Sequence, residues 1–150
     1  NYDWDLAYEH VLNSEKLDLS HSRDDMTLSK GTLSIPLGEY DRAMSLLNGL
    51  SNSGWAMYRR GILKVMTGDL TGAKSEMVSV RKYLSDNNIT ENGGIDYANA
   101  VISAREGDSA GVTSNLKSAL SKNDDGSLKE RLVNDIEFSK YSDAVKAAMN

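Results

Sequence analysis

The residues able to do chemistry are few in this chain. There is no cysteine, which removes disulfides, thiol nucleophiles and cysteine metal sites. His10 and His21 are the only histidines, and neither belongs to a closed set of Asp, Glu or His ligands of the kind a metal needs. Both read as helix-surface histidines. Ser114 and Lys117 form an SxxK string, the spacing at which a lysine can deprotonate a serine nucleophile. That chemistry requires companion motifs on a sheet, and Val112 to Leu120 has the apolar spacing of an amphipathic helix instead. Asp124, Asp125 and Gly126 have the look of a calcium loop, but Leu132 stands where the bidentate glutamate is required, so a turn is the simpler reading. Asn88-Ile89-Thr90 is a glycosylation triplet in a polar stretch, of consequence only in a eukaryotic secretory route. No carboxylate pair is fixed at a catalytic separation. The expectation is therefore binding without catalysis, cofactor or metal.

Groups suited to binding are more numerous. Arg59, Arg60 and Lys64 lie on one flank of a helix, with Arg60 and Lys64 on adjacent turns. They can receive an acidic peptide end, or they can form an ordinary solvated face, which is the commoner outcome. Trp55, Tyr58 and Tyr97 can anchor a ligand as groove aromatics, or they can pack in the core, again the commoner outcome.

Bulk composition narrows the partners. The chain has 150 residues, a net charge of −5 and 39% apolar residues, with a single Phe. Acids and bases alternate without long runs of one sign. A nucleic-acid surface needs a clustered basic footprint, so none is expected, and anionic lipid is disfavoured likewise. No apolar run is long enough to span a bilayer, so no direct membrane insertion is expected. The chain begins at Asn1 without a Met and carries no secretory signal at its start, so it reads as a processed or trimmed piece of a longer protein.

The elements that must position these groups follow from the spacing of glycines. In GILKVMTGDLTGAKSEMVSV, residues 61–80, Gly61 and Gly68 stand seven apart, Asp69 follows, then Ala73 and Met77. Gly31, Gly38, Glu39, Ala43 and Leu47 repeat the skeleton, and Ala100, Gly107, Asp108, Val112 and Leu116 repeat it again. Asp3, Trp4, Ala7 and Val11 match its second half. The corner acids Asp3, Glu39, Asp69 and Asp108 are 36, 30 and 39 residues apart. Packing explains the pattern: the first small residue permits close helix approach, the second permits a corner, and the acid suits the positive end of the next helix. The large apolar residue fills the gap to the next unit.

The predicted units are a half repeat over 1–13, then helix pairs over 21–50, 55–84 and 95–121, and a C-terminal cap over 128–149. Within them, helices are expected over 3–12, 21–35, 39–50, 55–67, 70–84, 95–106, 109–121, 128–136 and 142–149. Tyr40, Ala43, Met44, Leu47 and Leu50 are expected to face inward from the fourth-decade helix. Ser85 to Gly94 reads as a loop.

The repeat resembles the tetratricopeptide family over nearly the whole chain, with the unit RGILKVMTGDLTGAKSEMVSV as the best match and a period near that family's ~34 residues. The proline that closes each unit in that family is absent. The resemblance implies an all-α, tetratricopeptide-like α-α superhelix of about three helix hairpins plus short C-terminal capping helices. It also implies that the first helices of the pairs line a concave groove. The family's chaperone-tail clamp of paired Lys and Asn is not supported, because Leu28, Thr32, Tyr58 and Ile62 occupy the corresponding positions.

The tail, NLKSALSKN and then LKERLVNDIEFSKY, is similar to the end of tetratricopeptide segments in bacterial envelope proteins that also carry an OmpA-like domain. Asn115, Leu116, Ala119, Asp135, Glu137, Phe138 and Tyr141 carry that similarity. It implies a periplasmic or outer-membrane-associated setting, with the cytoplasm still open. The functional expectation is a non-enzymatic scaffold that binds a peptide or protein through its concave face. The alternative is a structural spacer or oligomerisation element, as a homo-oligomer.

Overall fold

A computed structural model describes Glu9, Leu12, residues 23–124 and residues 126–150. The half repeat expected over 1–13, both histidines, the start of the helix expected from His21, and Asp125 lie outside them, Glu9 and Leu12 apart, which are helical. Among the described residues the chain is all helical: α1 (Arg23–Ser34), α2 (Tyr40–Asn48), α3 (Gly54–Thr67), α4 (Leu70–Asp86), α5 (Gly94–Glu106), α6 (Ser109–Ser121), α7 (Ser127–Asn134), a 3-10 turn (Ile136–Phe138) and α8 (Ser142–Met149).

Three helix pairs, α1–α2, α3–α4 and α5–α6, form the body. Each is bent at a glycine with positive φ: Gly38 at 77°, Gly68 at 87° and Gly107 at 81°. In each corner the amide after the glycine reaches back across the last helical turn, Glu39 to the Ser34 carbonyl, Asp69 to that of Lys64 and Asp108 to that of Ser103. This is the αL helix stop in which glycine avoids the Cβ penalty of the left-handed region. The acid then starts the next helix. Asp69 accepts from the Gly72 amide at 2.9 Å, and Asp108 from that of Gly111 at 2.9 Å, each satisfying an otherwise unpaired donor at a helix start. Glu39 makes no such bond and pairs with Arg42 instead.

The large apolar residue of the repeat has a second role. A Cβ on Gly31 would lie 2.9 Å from Leu47 Cγ, and one on Gly61 would collide with the end of Met77. Leu47 and Met77 thus lie over the glycine of their own hairpin, besides helping to bridge to the next unit. Leu47 shares a buried cluster with Ala43, Leu50, Ala56 and Leu63; Met77 shares one with Val65, Ala73, Ile95, Ala98 and Ile102. Each cluster crosses a pair boundary.

Beyond consecutive packing, α1 touches α3 and α3 touches α5, so the first helices form a row. At the far end α8 packs on α6 and the 3-10 turn on α5. Phe138, Ala144 and Ala148 close a third cluster with Tyr97, Ala100, Val112 and Leu116. The expected helices over 55–67, 109–121 and 142–149 agree with those observed to within a residue. The one expected over 128–136 ends at Asn134, with Asp135 capping a separate 3-10 turn through the Glu137 amide. Tyr40 does not face inward. It is the first residue of α2 and is exposed.

Candidate protein-binding face

The first-helix row carries all six residues that the sequence marks for binding, and the structure divides them. Trp55 and Arg59, one turn apart on α3, face α1 across a cavity of about 410 Å³ whose other walls are Leu28, Ser29, Thr32 and Leu33. Trp55 is 64% exposed, so the core-packing reading does not hold for it. Arg59 lies 5.9 Å from the centre of the Tyr58 ring, within cation–π range, and has no carboxylate partner among the described residues.

Tyr58 is half-buried against the cluster around Met77, and its hydroxyl donates to the Gly94 carbonyl at 3.4 Å. Burial pushes its phenol above the ordinary range, against the opposing charges of Arg131 and Arg59. It is therefore a wall between α3 and α5 with one edge on the row.

Arg60 is engaged within the fold. It is 9% exposed, and its guanidinium donates to the Leu47 carbonyl at 2.9 Å and to both oxygens of Glu76, at 3.0 and 3.2 Å. Lys64 joins the same carboxylate at 3.0 Å. Neither a free cationic flank nor a solvated face describes this pair. Burial raises the Glu76 carboxyl, but the hydrogen bonds from Arg60 and Lys64 outweigh it and hold the group below its usual range. Arg60 thereby ties the end of α2 to α3 and α4. The signal was present in the sequence, because Ala56, Arg60 and Leu63 fall on one helical stripe and the other two are fully buried.

Tyr97 lies in the core, the commoner of the two outcomes expected for it. It is 3% exposed, meets Phe138 edge-on with ring centres 5.6 Å apart, and donates to Asp135 at 2.7 Å. Burial, with the Asp135 carboxylate, pushes its phenol far above the ordinary range. The covering group is the chain's own tail. Glu137 pairs with Arg105, whose other donor reaches the Val65 carbonyl, and the Tyr141 hydroxyl donates to the Ala104 carbonyl. Residues 135–141 thus lie along α5.

A second network lies where α4, α5 and α6 meet. Asp96 accepts from Arg81 and Lys122, each at 2.7 Å, and Glu91 accepts from the same two cations. Burial raises both carboxyls, yet the bonds from Lys122 and Arg81 prevail and hold both below their usual range. Two acids and two bases balance locally. The sequence reading passes over this network, since Glu91 sits in a stretch that reads only as polar loop.

Ser114 and Lys117 lie on α6, where the Ser114 hydroxyl is spent on the Gly111 carbonyl. Gly126 sits at φ 72° at the start of α7, in a turn. Among the described residues no group of three His, Cys, Asp or Glu side chains is placed to hold a metal, and no helix is long and apolar enough to cross a membrane. Comparison of the chain with models of protein families, with curated proteins and with solved structures finds no match.

Proposed function

We propose that the chain is a non-enzymatic scaffold that binds a segment of another protein along its first-helix row, in a tetratricopeptide-like right-handed stack. The observation that carries this reading is the cavity between α1 and α3, where an exposed Trp55 stands beside Arg59, which has no carboxylate partner among the described residues. A large aromatic left in solvent next to a cation is the composition of a protein-binding hot spot. Contacts of α1 with α3 and of α3 with α5 support a stack that curves with this row inside, and repeat stacks use such surfaces for binding. The tail similarity supports a place in the periplasm or at the outer membrane.

Selection from a random peptide library tests the reading. Binders to the whole chain should be lost on Trp55→Ala and retained on Val78→Ala, a control at an exposed residue of α4. Binders indifferent to Trp55→Ala would refute it. The second reading, a spacer or oligomerisation element, draws on the exposed Val133 and Ile136 at the C-terminal cap. Light scattering separates the two, since a concentration-dependent dimer favours the spacer.

A further inference from the structure

The chain already displays a peptide segment seated on its own first-helix row. Tyr97 stands ten residues before its corner glycine, Gly107; Leu28 stands ten before Gly38. This position faces the element that follows its pair along the row: the tail in the third pair, Gly94 of α5 through Tyr58 in the second, and the cavity walled by α3 in the first. In the third pair the occupant is Asp135-Ile136-Glu137-Phe138. Its first acid accepts from a phenol, its second pairs with a guanidinium, and its aromatic ring lies edge-on to the row. Ile136 points away and is 82% exposed. The recognition elements on the row are thus an aromatic ring and an arginine.

The α1–α3 cavity also offers a ring and an arginine, at other positions of the repeat: Trp55 and Arg59 stand thirteen and nine residues before Gly68, Tyr97 and Arg105 ten and two before Gly107. Trp55 supplies the ring, Arg59 supplies a guanidinium with no carboxylate on it among the described residues, and Leu28 and Leu33 give an apolar floor. Two other arginines on the row are spent: Arg60 on Glu76, and Arg105 on Glu137 and the Val65 carbonyl. An unpaired guanidinium beside an apolar floor is complementary to a carboxylate beside a ring or aliphatic group. A bidentate arginine–carboxylate pair is also the strongest polar contact such a site can make.

We propose that the α1–α3 cavity takes a segment of another protein in which an Asp or Glu lies within about three residues of an aromatic residue, the pattern that residues 135–138 present to α5. The carboxylate pairs with Arg59 and the ring lies against Trp55. This rests on the scaffold reading above and adds the chemistry of the partner.

The same library selection tests it, now through the sequences recovered and through Arg59. Recovered peptides should be enriched in Asp or Glu near Phe, Tyr or Trp. Synthetic copies should bind about tenfold more weakly, or worse, to Arg59→Glu and after Asp→Asn or Glu→Gln in the peptide, the scale of a lost hydrogen bond to a charged group. Circular dichroism and urea melts of Arg59→Glu and Trp55→Ala confirm that both variants fold. Binders that need Trp55 but show no acidic preference, or that ignore Arg59→Glu, overturn this inference and leave the scaffold reading intact. Binders that ignore Trp55→Ala overturn both. Self-association abolished by Arg59→Glu, measured by sedimentation, would give the cavity to a second copy and overturn the assignment to another protein.

Discussion

Two neighbouring arginines show how much one helical position decides. Arg59 and Arg60 differ by a single step along α3, yet one guanidinium faces a cavity and the other is enclosed by the Leu47 carbonyl and Glu76. Removing Arg60 strands a buried carbonyl and strips Glu76 of its bidentate partner, and leaving such groups unpaired is the costly half of a hydrogen bond. Arg60→Ala should therefore destabilise the fold by about 2–4 kcal/mol in urea melts, whereas Arg59→Ala should stay within about 0.5 kcal/mol of the parent. Equal costs would show that the Arg60–Glu76 pair adds nothing. Residue types were legible in the sequence here, and the stripe through Ala56 and Leu63 marked the facing of Arg60, but the carboxylate that meets it was not legible. Three cations in a short stretch read as one surface until α4 brings Glu76 against two of them. The cover of Tyr97 was equally hidden, because it arrives from residue 135 onward, far along the chain.

At the scale of elements, the glycine skeleton placed the helices well, since its positions are backbone requirements. Gly38, Gly68 and Gly107 each adopt positive φ, and an acid after each ends one helix and begins the next. What the skeleton cannot show is how one pair is held to another, because those ties depend on side chains from segments without a repeat. The α4–α5 connection carries Glu91, and Gly93 there adopts φ 86° so close to the Ala119 carbonyl that a Cβ would collide with it. The four-charge network of Arg81, Glu91, Asp96 and Lys122 then joins α4, α5 and α6. Its carboxyls are held below their unfolded range. Their contribution is therefore present above the unfolded pKa, about 4, and is lost as pH falls through the lower folded value. Asp96→Asn should cost about 1–3 kcal/mol at pH 7 and should flatten the loss of stability on acidification. Thermal melts from pH 7 down to pH 3 check this. Parent and variant falling in parallel would show that acid sensitivity lies elsewhere, for example at Glu76.

Across the whole molecule, three buried clusters follow one another along the chain, and neighbours share helices. Val65 of α3 lies in the middle cluster while Ala56 and Leu63 of the same helix lie in the first. Coupling in such an array runs mainly between adjacent units. Phe138→Ala removes a large buried ring from the last cluster, a change worth about 3–5 kcal/mol. Hydrogen exchange should accelerate most in α5, α6 and α8, less in α3 and α4, and least in α1 and α2. Uniform acceleration would mean that the chain unfolds as one unit. Pair count and cap were readable from the period and from the turns near Gly126. The seating of the tail on α5 was not, because a seven-residue segment with no helical period gives no sign of where it docks.

The double membership of α3 and α5 has a consequence for how this architecture can be lengthened or shortened. Each is apolar on two sides, with Ile95, Ala98 and Ile102 of α5 turned to one cluster and Tyr97, Ala100 and Ala104 to the other. A break in the links at 51–53 or 87–93 therefore bares half of a core on both products. Removing one complete hairpin instead brings together two faces built on the same glycine-and-leucine template. The unit that can be gained or lost is the whole pair, and the seams between pairs are poor places to divide the chain.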